Sequence, residues 1–135
     1  AYLQSEIDEG ELNGIDVAGN SLPLAPELSL GAGMNWDIAS FEQGDLSLGV
    51  DGSYMASQYF DVFENGATRQ DSYTLANARL GFRSSGGKFE TALWIKNLTD
   101  EAYNTSMIDL TPNFGYVYRL LGAPRTYGIE ATWRF

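Results

Sequence analysis

The chain has 135 residues, of which 44% are apolar, 13% aromatic and only 19% charged, a balance that excludes a disordered chain. It holds no Cys and no His, which removes disulfide scaffolds, thiol chemistry, the usual zinc sites and catalysis that needs imidazole. Eighteen acidic against eight basic residues give a net charge of −10, so counterion release cannot drive binding to nucleic acid, and no nucleic-acid partner is expected.

The charge is unevenly spread. Residues 1–68 carry twelve carboxylates and no Lys or Arg, whereas 69–135 carry six carboxylates and all eight basic groups. The acids are interleaved with Leu, Ile, Trp and Tyr, which points to a structured acidic surface rather than a tail. The longest apolar run, Ala92 to Ile95, is four residues, against about 20 for a membrane-spanning helix. With no initiator Met, signal peptide or linker, the chain reads as a piece of something larger.

The opening segment, Ala1 to Ile7, alternates as a strand does. Over 28–38, Leu28, Leu30, Ala32, Met34, Trp36 and Ile38 oppose Ser29, Gly31, Gly33, Asn35 and Asp37, which predicts a strand with one apolar face. Residues 46–56 repeat the pattern, with Leu46, Leu48, Val50 and Tyr54 against Ser47, Gly49, Asp51 and Ser53. From 74 to 83, Ala76, Ala78, Leu80 and Phe82 oppose Asn77, Arg79, Gly81 and Arg83. From 89 to 97, Phe89, Thr91, Leu93 and Ile95 oppose Glu90, Ala92, Trp94 and Lys96, with Trp94 the exception on a polar face. The end is cleanest: Tyr127, Ile129, Ala131, Trp133 and Phe135 share one side, and Gly128, Glu130, Thr132 and Arg134 the other.

Six strands are therefore expected, most of them 9 to 11 residues long, the length a tilted strand needs to cross a bilayer. Ile38 to Gly44 and Ser84-Ser85-Gly86-Gly87 read as short turns, and residues 8–27, 57–73 and 98–126 as long connections. Alternating long and short connections imply antiparallel strands with two unlike ends, as in outer-membrane barrels with short periplasmic turns and long external loops.

The polar face carries Glu27, Asp37, Asp51, Arg79, Arg83, Glu90, Lys96, Glu130 and Arg134 among Gly and Ser, as a wet lumen would. The apolar face places Trp36, Trp133, Phe82, Phe89 and Phe135 at strand ends, in the manner of an interfacial girdle. The same alternation fits a soluble β-sandwich, a binding or adhesion module whose apolar face is its core. A hydrolase is a third reading, but neither Asp61 with Glu64 nor Asp100 with Glu101 shows a partner fit for acid–base work. Six strands do not close a barrel with a wet interior, and an open edge cannot stand in hydrocarbon, so a barrel requires further strands.

The stretches Trp94-Ile95-Lys96-Asn97-Leu98-Thr99-Asp100-Glu101-Ala102-Tyr103 and Gly122-Ala123-Pro124-Arg125-Thr126-Tyr127-Gly128-Ile129, with the ending Trp133-Arg134-Phe135, resemble the C-terminal end of the β-barrel of TonB-dependent outer-membrane receptors. Leu22-Pro23-Leu24-Ala25-Pro26 and Asn77-Ala78-Arg79-Leu80-Gly81 are similar to that family's preceding strands. The resemblance implies an all-β, antiparallel transmembrane barrel of about 22 strands, of which residues 1–135 are the last six, the plug domain and earlier strands being absent. It implies a bacterial outer-membrane location and active uptake of a scarce solute, such as a siderophore, vitamin or oligosaccharide. The implied partners are the remaining strands and plug, the TonB energy-coupling complex reached through the plug, outer-membrane lipid and the small-molecule ligand.

Within the long connection at 98–126, Tyr103, Asn104, Tyr116, Tyr118 and Arg119, with Asp109, Asn113 and Phe114, form a set able to stack on and hydrogen-bond a small polar ligand. Packing within a solvated loop is the competing reading. Asn97 and Asp100 are expected to fix a turn where a strand stops, and Arg125 to clamp the loop. Trp36, Trp133 and Phe135 are the candidates for membrane interface and assembly. Asp8, Glu9, Glu11 and Asp16 lack the spacing of a calcium loop and read as solvating charge, with calcium left as an open alternative. No catalytic residue, metal site or cofactor is expected.

Overall fold

The two-residue alternation matures into long hydrogen-bonded strands. The computed structural model describes residues 1–135. In chain order its strands are β1 (Glu11–Leu12), β2 (Ile15–Asp16), β3 (Ser29–Phe41), β4 (Gly44–Met55), β5 (Gln58–Tyr59), β6 (Arg69–Gln70), β7 (Tyr73–Ser84), β8 (Phe89–Lys96), β9 (Asn104–Asp109), β10 (Val117–Leu121) and β11 (Thr126–Trp133). A 3-10 turn at Gly66–Thr68 and one helical turn, α1 (Thr111–Phe114), complete the set.

Five of these strands form one sheet in the order β11-β8-β7-β4-β3. It is a meander: β3 and β4 are joined by Glu42 and Gln43, and β7 and β8 by the turn Ser85 to Lys88. Gly44 is required by close approach, because a Cβ there would stand 2.1 Å from the Arg83 carbonyl oxygen. The soluble-sandwich alternative needs a second layer over the apolar face. Instead, Leu30, Leu93, Ile129 and Trp133 are 55%, 55%, 71% and 62% exposed, and Leu48 is half-buried. Such a large uncovered apolar face marks an interaction surface rather than the interior of a soluble module. No helix is long and apolar enough to cross a membrane, which leaves crossing by strands untouched.

The chain divides into two units. One comprises residues 31–53, 74–101 and 123–135 and holds most of the long-stranded sheet; the other comprises 1–30, 54–73 and 102–122. The second unit gathers much of the three long connections, and these are more ordered than the sequence suggests. Residues 8–27 contain the β1–β2 hairpin, 57–73 contain the β5–β6 pair, and 98–126 contain the β9–β10 hairpin with α1 near its tip.

The opening segment differs from the expected sixth strand. Only Tyr2 bridges to Leu28, flanked by Leu3 N donating to Glu27 O (2.9 Å) and Ser29 N to Ala1 O (3.0 Å). Continued in that register, the pairing would set Gln4 against Pro26 and Ile7 against Pro23, and proline has no N–H to give to a ladder. The chain turns away, and Ile7 instead exchanges backbone bonds with Gly19 and Asn20.

Candidate functional site

In the long-stranded sheet the cross-strand register sorts side chains into two sets of rows. On one face lie Ala78, Ile95 and Tyr127, then Leu80, Leu93 and Ile129, then Phe82, Thr91 and Ala131. Thr91 is the polar member, and its hydroxyl donates to the backbone oxygen of Glu130 at 2.8 Å, so it presents no unpaired group. Phe89 and Trp133 close this face at the short-turn end with rings 5.7 Å apart, and Phe135 follows, fully exposed. Trp36 lies inside β3 rather than at its end, because that strand continues to Phe41.

The opposite face is ionic. Arg79, Trp94 and Gly128 form one row, Gly81, Ala92 and Glu130 the next, and Arg83, Glu90 and Thr132 the third. Arg79 pairs diagonally with Glu130 at 3.1 Å, while Glu90 is shared by Arg83 at 3.2 Å and Arg134 at 2.7 Å. The small residues Gly81 and Ala92 leave a recess of about 220 Å³ between these pairs, edged by Ser47 and Thr132. Farther along, Asn77 donates to Asp51 at 2.6 Å. Trp94, the exception on this face, has its ring laid over Gly128, where a Cβ would stand only 2.6 Å from the indole, and Lys96 Nζ lies 5.7 Å from the ring centroid.

At the end of β8 the chain is closed by Asn97, which takes φ 51° and is 5% exposed. Its Nδ2 donates to the carbonyls of Glu101 (2.9 Å) and Ala123 (3.1 Å), and its Oδ1 accepts from Glu101 N (2.8 Å). Asp100 accepts from Arg125 N at 3.0 Å and pairs with its guanidinium at 3.5 Å. The turn-fixing and clamping roles expected for Asn97, Asp100 and Arg125 are the ones the geometry displays, and together they tie the two limbs of the 98–126 connection.

Within the second unit the five ligand candidates separate. Tyr103 is engaged in packing: its ring stacks on Tyr73 at 4.8 Å and lies against Gly122, where a Cβ would be 2.1 Å from Cζ. Asn104 N and Nδ2 both donate to Gln70 Oε1, at 2.8 and 2.9 Å, and Asn104 Oδ1 is buried without a partner. Arg119 sits opposite Met107 in the β9–β10 ladder and reaches the Ala67 carbonyl at 3.4 Å.

Tyr116 and Tyr118 are exposed, and Tyr118 is paired across the hairpin with Ile108. The exposed set therefore consists of Tyr116 and Tyr118 with Phe114, whose ring is 6.3 Å from that of Tyr116, and with Ile108 and Leu120 beside them. Ile108 and Leu120 were not among the sequence candidates; their signal was the shared parity of 106, 108, 118 and 120 once a hairpin is drawn there.

Asp109 anchors the hairpin tip. Its carboxylate accepts from Thr111 N (2.8 Å) and from Asn65 Nδ2 (2.7 Å), and the hydrogen bonds from Thr111, followed by that from Asn65, hold its carboxyl below the usual aspartate range. No group of three or more acidic side chains is placed to hold a metal ion, in residues 8–16 or elsewhere.

The family model for the TonB dependent receptor-like beta-barrel matches residues 1–98, and the chain belongs to that family. Among solved structures, it is similar to the ferric yersiniabactin uptake receptor FyuA from Yersinia pestis, with a TM-score of 0.77 and 24% identity over 88% of this chain and 18% of that one. It is also similar to BauA, the ferric preacinetobactin receptor of Acinetobacter baumannii, at TM-score 0.72 and 23% identity over 98% of this chain and 18% of that one. The siderophore receptor PiuA from Acinetobacter baumannii gives TM-score 0.72 and 21% identity over 96% and 18%. The chain thus spans less than a fifth of the length of these receptors. The fold is that of an antiparallel outer-membrane β-barrel, of which the long-stranded sheet is a sector.

Proposed function

We propose that these residues form part of the wall and external loops of an outer-membrane receptor that takes up a scarce solute by TonB-dependent transport, and that the solute is a ferric siderophore. The carrying observation is the two-sidedness of the sheet: an uncovered apolar face backed by a face of interlocked Arg–Glu pairs. Only a wall between hydrocarbon and enclosed water uses both faces as they stand. The siderophore class is supported by the descriptions of the three similar receptors. Capture, in this reading, uses the exposed aromatic groups Tyr116 and Tyr118, with Phe114, near the tip of the β9–β10 hairpin. The remaining strands, the plug and the energy-coupling complex complete the machine, and binding with passage takes the place of catalysis.

The test is uptake of radioactive iron, presented as ferric siderophores, by a receptor-deletion strain carrying the full receptor. Tyr116→Ala with Tyr118→Ala is expected to lower uptake at subsaturating chelate while leaving the receptor in the outer membrane. Unchanged uptake in the variant removes the hairpin from the capture site. Failure of the full receptor to support any chelate uptake removes the siderophore reading.

A further inference from the structure

The long connections of the second unit meet on one segment, residues 57–73. Its ladder is only the two pairs Gln58–Gln70 and Tyr59–Arg69, so side chains supply the stiffness. Thr68 is fully buried and its hydroxyl donates to the Asp61 carboxylate, which also accepts from Phe63 N at 2.9 Å. Asn65 caps the 3-10 turn, its Oδ1 accepting from Ala67 N at 3.0 Å.

From this body, bonds leave in two directions. Toward residues 8–27, Val62 O accepts from Asn20 Nδ2 and Glu64 Oε1 from Ser21 N, both at 2.8 Å, and Tyr59 O accepts from Leu24 N at 2.9 Å. Toward the β9–β10 hairpin, Asn65 Nδ2 donates to Asp109 at 2.7 Å, the buried Gln70 takes both nitrogens of Asn104, and Tyr73 stacks on Tyr103. Asp109 is the registered partner of Val117, which lies between Tyr116 and Tyr118. Glu64 and Asn65 are consecutive yet hold different connections, and Glu64 keeps φ 50°, a left-handed backbone that a glutamate holds only where its surroundings fix it. Residues 57–73 are thus the common partner of both, and elements joined through one hydrogen-bonded network open as a cooperative unit.

We infer that residues 57–73 are a clasp through which the 8–27 connection and the β9–β10 hairpin open and close together, with Asn65 the positioning residue that holds the exposed rings of Tyr116 and Tyr118 in place. The coupling stands on the bonds alone, and its bearing on capture rests on the uptake reading.

The experiment exchanges donor and acceptor. In the full receptor in detergent, hydrogen-exchange protection relative to the intrinsic amide rate is followed for residues 7–20, 57–70 and 104–121, with β7 and β8 as controls. Asn65→Asp sets a second carboxylate against that of Asp109 and is expected to lower protection at least about fivefold in 104–121 and also in 7–20, with β7 and β8 unchanged. Adding Asp109→Asn restores a donor and an acceptor with the roles reversed, and protection is expected to return to within about twofold of the wild type. Asn20→Ala, on the far side of the clasp, is expected to loosen 104–121 as well, since coupling between two sites is reciprocal. Loss in Asn65→Asp that spares 7–20 overturns the coupling, as does an unaltered hairpin in Asn20→Ala. No recovery in the double variant, or loss that extends into β7 and β8, overturns the positioning role.

A second arm measures uptake of one ferric hydroxamate and one ferric catecholate by cells carrying the full receptor. For a chelate that the wild type takes up, Asn65→Asp is expected to raise the half-saturating concentration several-fold while the maximal rate holds, and the double variant to recover it. An unchanged half-saturating concentration in a variant whose hairpin has loosened overturns the positioning role in capture. Wild-type receptor that takes up neither chelate counts against the uptake reading and leaves the coupling to be decided by the exchange result.

Discussion

The indole of Trp94 lies across Gly128, its registered partner on β11, so closely that a Cβ at 128 would stand 2.6 Å from Cζ2. A large apolar group on the ionic face is thus accounted for by the bare glycine it covers, an arrangement known to pin register in sheets. Gly128→Ala is expected to force the ring aside and destabilise the barrel by about 1–3 kcal/mol. Trp94→Ala in the same chain should recover part of that loss, because the clash is between those two positions. The check is a double-mutant cycle on the heat-modifiable barrel; additive effects would show that the two residues do not meet.

Asn97 supplies a second test. Asn97→Ala leaves the carbonyls of Glu101 and Ala123 and the amide of Glu101 without their partner, at a cost of about 1–3 kcal/mol. It also places a less tolerant residue at φ 51°. Asn97→Gly relaxes the backbone but keeps the hydrogen-bond loss, so both variants should show faster protease cleavage within 98–125. Intact protection in Asn97→Gly would assign the role to backbone conformation alone.

The strands of the sheet were legible because each must present apolar groups on one side and ionic groups on the other, and that demand writes a two-residue period directly into 28–38, 46–56, 74–83, 89–97 and 127–135. The smaller hairpins carry no such demand. Asn13-Gly14 was a readable turn signal for β1–β2, with φ 53° and 79°, yet the flanking strands are only two residues each. In β9–β10 the buried Met107 faces one way and Ile108 the other, so apolar groups fall on both sides and the period is lost. The contacts that divide the ligand candidates are longer in range still, since Tyr103 meets Tyr73 and Asn104 meets Gln70, and neither pairing has a local signature.

Acid should loosen the hairpin tip. The Asp109 carboxyl is held below its ordinary value by the bonds from Thr111 and Asn65, so its contribution is complete above about pH 4 and is lost as pH falls through the lowered folded-state value. Hydrogen-exchange protection of residues 104–121, taken relative to the intrinsic amide rate at each pH, is expected to fall below about pH 4, and Asp109→Asn should remove that dependence. Wild-type protection that stays constant down to about pH 2 would contradict the assignment.

Sidedness also predicts unequal tolerance of charge. Leu93→Lys, midway along β8 on the apolar face, is expected to cost about 2–4 kcal/mol in membrane insertion. Thr132→Lys, on the ionic face of β11, should be accepted with little loss of assembled receptor in outer-membrane fractions. Equal tolerance at both positions would be incompatible with a lipid-facing wall.

The most direct measurement places single cysteines along β11 in the cysteine-free chain, at 127, 128, 129, 130, 131 and 132, within the full receptor in bilayers. A fluorophore attached at 127, 129 or 131 should be quenched by a nitroxide carried on lipid tails, and the free thiols at those positions should resist a charged maleimide, with 128, 130 and 132 showing the reverse. A uniform response along the strand, or the opposite alternation, would contradict the account.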